Sequence, residues 1–296
     1  MSKNIARLFL CFLLVSSFLA ADLSSFAKAT EDKSSVARSA EEELTLEDLI
    51  TNLQSNQSKI KDLYAETVTT ITSNIAMPGA KDKGPQKMVQ KGKMWTKGKD
   101  KSKIEMLSPM KQTTITNGDQ MAIINPETGQ KMVQDLKKLK GQGALRQSSG
   151  QASSKGQEGM NLEKAKEYFD LSLSKKGDDY VIIGIPKEAN KFLGKMEFYV
   201  DPEKWVPTKI LMYSPSVASA KEGGPKDKLM SQSEIEYKEF SVSYSEAPSA
   251  ARSEGVWVPV KNISNISTPA GKMSVEMEFE NVKVNKGMSD KEFKIE

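Results

Sequence analysis

The chain of 296 residues contains no histidine, and its one cysteine is Cys11. Without an imidazole, the Ser-His-Asp and Cys-His forms of nucleophilic catalysis are excluded. So are zinc sites built on histidine or cysteine, and any disulfide within the chain. Carboxylate or Ser-Lys chemistry survives that exclusion, but no residue pattern marks it. Aromatic residues make up only 7% of the chain, and the formal net charge is +4. So mild a basic excess does not mark a nucleic-acid surface. The expectation is a protein that is not an enzyme, with no metal and no cofactor.

Methionine, by contrast, is plentiful, with 15 residues. Its flexible thioether side chain fills irregular cores, and it also lines sites that must accept variable apolar partners. Composition alone leaves both uses open.

Residues 1–27 read as a secretory signal. Lys3 and Arg7 give a positive start, and residues 8–19 form an apolar run. The run is shorter than the roughly 20 residues a membrane-spanning helix needs. Ser25 and Ala27 supply small residues at the cleavage positions. Cys11 lies inside the apolar run with Leu10 before it, not after the run behind a small residue, so it does not read as a lipid-attachment site. Cleavage leaves an exported chain without a thiol, which suits an envelope compartment. Residues 28–43 are small, polar and charged and read as a disordered tether.

Periodicity then sets in. Thr45 followed by Asp48 resembles a capping box. Leu46, Leu49, Ile50 and Leu53 follow at i, i+3, i+4 and i+7, an amphipathic helix with one apolar stripe. Residues 62–75 read as a long first strand, rich in Thr, Val, Tyr and Ile. The segment 77–86 is a loop by its Pro and Gly. Residues 87–128 form a meander whose first strand holds Gly92, Met94 and Trp95. Ile104 and Met106 share one face of the next run, Thr113 and Ile115 share a face, and Met121 and Ile123 share another. Asn117-Gly118 between two such runs is a hairpin signal, because a two-residue turn needs positive φ.

From Lys137 the pattern fails, and residues 137–160 read as a flexible loop. Asn161 is placed to cap a short helix over 162–169. Strands resume from Asp170. Met196, Phe198 and Val200 share a face, with Glu197 and Tyr199 opposite, and Ile210 and Met212 follow in the next strand. Residues 214–227 and 247–254 read as surface loops. In the closing hairpin, Met273, Val275, Met277 and Phe279 alternate with Ser274, Glu276, Glu278 and Glu280, as in an antiparallel sheet wet on one side. Trp205-Val206-Pro207 is echoed by Trp257-Val258-Pro259, each read as the start of a strand, where proline's missing donor is tolerated.

The meander resembles that of the periplasmic outer-membrane lipoprotein carriers, the LolA-like or lipoprotein-sorting family. The residues that carry the likeness are Gly92-Lys93-Met94-Trp95, the basic turn over 97–103, the apolar strand ending at Pro109, Thr116-Asn117-Gly118, and the run from Met121 to Pro126. It continues more weakly at Gly177-Asp178-Asp179-Tyr180 and at Phe293. The resemblance implies a mainly β (α+β) fold over 44–296: an incomplete, strongly curved antiparallel β-barrel with helices covering its open apolar face. It implies a carrier, likewise periplasmic, that takes acylated lipoproteins from an inner-membrane ABC-type extractor to an outer-membrane acceptor, acting as a monomer. A sensor of lipid or misassembled envelope proteins, or a carrier of another lipid, would use the same fold.

On this reading Met94, Ile104, Met106, Ile115, Met121, Ile123, Met196, Phe198, Ile210 and Met212 line the cavity. Leu46, Leu49, Ile50 and Leu53 form its cover. The chain departs from the pattern in the basic turn. There Gly98 stands where the resemblance implies a lid-holding arginine, with Lys97 and Lys99 beside it. A lysine does not reproduce the planar guanidinium fork.

Overall fold

A computed structural model describes residues 44–75, 84–141, 162–188, 193–215, 228–243, 253–269 and 271–295. The expected leader, the tether, most of the 137–160 loop, and most of the 214–227 and 247–254 loops lie outside the described residues.

The first described element is helix α1 (Leu46–Ser58). Its start is the expected capping box. The Asp48 amide donates to Thr45 Oγ1 at 3.2 Å, and the Thr45 amide donates to Asp48 Oδ2 at 3.3 Å. These bonds satisfy donors that the first helical turn leaves unpaired.

Thirteen strands follow: β1 (Asp62–Ser73), β2 (Gln86–Lys97), β3 (Lys101–Ser108), β4 (Gln112–Asn117), β5 (Gln120–Ile124), β6 (Lys131–Asp135), β7 (Phe169–Lys176), β8 (Asp179–Pro186), β9 (Lys195–Asp201), β10 (Val206–Ser214), β11 (Lys228–Ser243), β12 (Ser253–Thr268) and β13 (Gly271–Val284). They form one antiparallel sheet in the order β6-β5-β4-β3-β2-β1-β13-β12-β11-β10-β9-β8-β7. The last strand pairs with the first, so the two meanders join side by side and the open edges are β6 and β7. The sheet is curved and does not close into a barrel, as expected of the incomplete barrel.

Turn chemistry follows backbone demand. Gly118 has φ +59 at the first central position of the β4–β5 turn, where Asn117 pairs with Gln120. The turn residues are thus Gly118 and Asp119, one position later than the sequence reading. Gly92 has another reason to be glycine. A Cβ there would stand 2.6 Å from the backbone oxygen of Glu105, so only glycine allows β2 and β3 to approach.

Two readings are corrected. Residues expected to be loop from 137 onward begin as a short helix, α2 (Leu136–Gly141), whose start is capped by the Asp135 carboxylate accepting from the Lys137 and Lys138 amides. The sequence hid it because six residues, with only Leu136 and Leu139 apolar, are too few to show a helical period. Trp257-Val258-Pro259 is not a strand start. It lies inside β12, where the register with β11 shifts and Pro259 faces Tyr237. A bulge tolerates proline's missing donor as well as a strand start does. The short helix α3 (Leu162–Tyr168) forms as expected and leads directly into β7.

Residues after β13 cross the outside of the sheet as a strap ending in a 3-10 turn, Asp290–Phe293. The Asp62 carboxylate accepts from the backbone amides of Lys286, Gly287 and Met288. Lys97 and Lys101 both reach Asp290, at 2.8 and 3.0 Å. Phe293 is buried, and the turn packs against β3 and β4.

A candidate lipid-binding trough

Residues directly opposite in an antiparallel pair point to the same face of the sheet. Starting at Phe198, the register runs through Ile210, Ser233, Ser264, Val275 and Ile71 to Met88. One inner face therefore crosses from β9 to β2. Met94 lies on the same face of β2 and pairs with Ile104, while Gly92 of that face pairs with Met106. Ile104 pairs with Thr114, and Thr114 with Ile123; Thr116 pairs with Met121. Met196 and Met212 pair with each other on this face as well.

The structure thus brings nine of the ten expected wall residues to one face. The exception is Ile115. It pairs with Lys103 and Ala122, which puts it on the outer face, where it is buried. The 3-10 turn at the C-terminus packs over that part of β3 and β4. The sequence could not place it. Ile115 sits among threonines, so the strand has no apolar side of its own.

The expected cover residues also converge. Leu49, Ile50 and Leu53 are buried in one cluster with Ile182, Phe198 and Val200, and Leu46 and Ile210 pack against it. Helix α1 therefore lies over the β8–β10 half of the inner face. Asn56 fixes its other end, donating to the Trp257 carbonyl at 3.3 Å. A second cluster joins Leu63, Val256, Val258 and Val284, with Met94 packed against it. Over β3 to β6 the same face retains exposed apolar surface at Ile104 and Met132.

Several inner-face residues escaped the sequence reading. Ile182 lies within a run apolar on both sides, so alternation did not single it out. Met88 and Ile71 also went unread, although Met88 stands six residues before Met94 and Ile71 lies within the expected first strand. Least visible was a polar seam. Ser233, Asn262 and Ser264 are buried on the inner face between the two apolar halves.

The outer face has a different chemistry. Glu197 is buried there and accepts from Lys176 at 2.8 Å and from the Tyr199 hydroxyl at 3.0 Å, with Lys195 at 3.2 Å. Burial works to raise its pKa, but the hydrogen bonds from Lys176, Tyr199 and Lys195 outweigh it and hold the carboxyl below its ordinary value. Lys261 pairs with Glu276 and Glu278 across β12 and β13, at 2.6 and 3.2 Å. The basic turn also works on this side. Lys97 and Lys101 hold the C-terminal strap rather than a lid over the trough. Gly98 has φ +57, a conformation that side-chain-bearing residues avoid. The turn itself therefore excludes an arginine at low strain.

A cleft of about 340 Å³ opens at one end of β1, β11, β12 and β13, lined by Met230, Ser231, Ile266 and Met273 among others. None of the expected wall or cover residues lines it. It lies at the end of the trough rather than beneath α1. Among the described residues no group of three or more acidic, histidine or cysteine side chains is placed to hold a metal ion. No helix among them is long and apolar enough to cross a membrane.

No sequence-family profile matches the chain, and no curated protein matches it. Solved structures do. A DUF1329 family protein from Desulfovibrio piger is similar at TM-score 0.52 and 15% identity, over 83% of this chain and 95% of that one. A putative outer membrane lipoprotein-sorting protein domain from Vibrio parahaemolyticus gives 0.49 and 13%, over 82% and 94%. LolA superfamily protein NE2245 from Nitrosomonas europaea gives 0.47 and 13%, over 86% and 99%. At these identities the likeness is one of fold, and the first of the three carries it.

Proposed function

We propose that the chain is a carrier of acylated lipoproteins, holding their acyl chains in the inner trough of the sheet. The observation that carries this reading is the continuous inner face, apolar on both halves and covered on one of them by the stripe of α1. In this reading residues 44–296 act as one domain, delivered to the periplasm by the leader over 1–27. Cargo arrives from an inner-membrane ATP-driven extractor and leaves to an outer-membrane acceptor, with the carrier monomeric throughout.

The energetics suit such a role. Burying acyl chain is worth about 0.8 kcal/mol per CH₂, so a chain of roughly 16 carbons resists leaving a membrane by on the order of 12 kcal/mol. A carrier must return nearly all of that inside its own trough. Met94, Met106, Met121, Met196 and Met212 share the inner face, and flexible thioethers adapt to chains of different length and branching. Nothing in this transfer needs a reacting group.

The test is to isolate the protein from its own envelope and identify what travels with it by mass spectrometry. Triacylated lipoproteins support the reading. Free lipid alone would replace it with a carrier of another lipid. Met106→Glu places a charge on the inner wall and should abolish cargo recovery while the protein stays soluble. Unchanged recovery removes Met106 from the trough.

A further inference from the structure

The seam between the two apolar halves of the trough is polar, and it is incompletely bonded. The Ser233 and Ser264 hydroxyls face each other across β11 and β12 at 2.7 Å. The Ser264 hydroxyl also donates to Asn262 Oδ1 at 3.3 Å. Ser264 uses its one proton there, so Ser233 is the donor of the shorter bond. This chain of bonds orients the Asn262 amide, with its oxygen taken up and its nitrogen directed elsewhere.

Asn262 Nδ2 is buried and finds no partner among the described residues, although Asn262 as a whole is only 2% exposed. One other buried side-chain atom shares that condition, the hydroxyl of Tyr237. Tyr237 stands two residues beyond Ile235 on β11, and Ile235 pairs with Asn262. Burial pushes the Tyr237 pKa well up, so the phenol keeps its proton and remains a donor. The two unmet donors thus flank the β11–β12 bulge, Asn262 paired with Ile235 on one side of it and Tyr237 paired with Pro259 on the other. Apolar side chains flank the seam. Met277 lies opposite Asn262 on β13, and Ile210 lies opposite Ser233 on β10. Buried donors in native proteins nearly always have acceptors, so a pair without them needs an explanation.

We infer that this seam is a subsite for the carbonyl oxygen of an acyl ester or amide, gripping a ligand where its hydrocarbon chain meets its head group. The inference rests on the trough as a lipid site and specifies which lipids it takes. Hydrocarbon would lie against the apolar strands on either side, and the carbonyl would accept from Asn262 Nδ2, the Tyr237 hydroxyl, or both. The seam then fixes how deep a chain sits, which apolar walls alone cannot do. It also favours acylated ligands over hydrocarbon of equal length.

The experiment compares three ligands of the same chain length on the purified protein, by displacement of a fluorescent fatty-acyl probe. They are a monoacylglycerol, its ether-linked counterpart without the carbonyl, and an N-acyl ethanolamine. The ester or the amide should bind about tenfold more tightly than the ether, the scale of one buried hydrogen bond. The ranking of ester against amide then tells which carbonyl the subsite prefers. Tyr237→Phe keeps the ring and removes only the hydroxyl, and Asn262→Leu removes the amide at similar volume. Loss of the preference in either variant, with ether affinity retained, supports the subsite and identifies the donor. Equal affinity for ester, amide and ether in the wild type overturns it, as does a preference that survives in both variants. Those results leave the trough standing. Binding of none of the three overturns the trough and the subsite together.

Discussion

Substituting Leu49 by alanine tests how α1 is held on the sheet. Leu49, Ile50 and Leu53 are 0%, 3% and 2% exposed, and all three belong to the cluster with Ile182, Phe198 and Val200. The helix has 13 residues. An isolated helix of that length is marginal in water, so its place depends on these contacts more than on propensity. A buried Leu→Ala change costs about 3 kcal/mol when the cavity cannot collapse. At about 1.4 kcal/mol per factor of ten, that raises the detached population by about two powers of ten. Hydrogen exchange followed by mass spectrometry reads this directly. The peptide over 46–58 should exchange about 100-fold faster, if α1 opens as its own unit. Peptides from β1 and β13, in the middle of the sheet, should keep their rates. An α1 peptide at the wild-type rate would refute the packing argument. The same acceleration in every peptide would refute α1 as a separable cover.

Other perturbations follow from the outer face and the turns. Glu197→Gln should lower stability by about 2 kcal/mol, because it removes the charged partner of several hydrogen bonds in a buried position. The native pKa of Glu197 is depressed, so its contribution is complete above the ordinary value of 4.5 and is lost as pH falls through the lower native value. Melting temperature against pH should therefore be flatter on the acid side in Glu197→Gln than in the wild type. At the strap, Phe293→Ala should cost about 3–5 kcal/mol by chemical denaturation, since the ring is fully buried. Asp290→Asn should leave the midpoint near that of the wild type, because its bonds to Lys97 and Lys101 are exposed to solvent. Gly98→Arg should cost about 1 kcal/mol of stability, the strain of a side chain at positive φ, with no gain in cargo retention.

Much of this architecture was legible in the chain, for identifiable reasons. The second strand of the closing hairpin alternates strictly; of its apolar positions Met273, Val275 and Met277 are buried and Phe279 is half-buried. The stripe of α1 was visible because four apolar residues repeat at helical spacing behind a capping box. Ile115 was not legible, since its burial depends on a turn that lies more than 170 residues further along the chain. Sheet order posed the same difficulty: the pairing of β1 with β13 joins the two ends of the fold, and nothing local announces it. The polar seam was hidden for another reason. In β11, Ser231, Ser233 and Ile235 point inward while Gln232, Glu234 and Glu236 point outward, so neither side reads as apolar. Lys97 and Lys101 were legible as a basic turn, but their partner is Asp290, and proximity to the strap had to come from the fold.

The central claim is that acyl chains lie on the inner face and not on the outer. Ile104 and Val89 make a matched pair for testing it: they are 38% and 41% exposed, on adjacent strands, and point to opposite faces. A photoreactive amino acid placed at each position, with lipoprotein cargo bound, reports which face the acyl chain touches. Cross-linking to cargo at 104 and none at 89 is the predicted result. Equal cross-linking at both positions, or cross-linking at 89 alone, would contradict the trough.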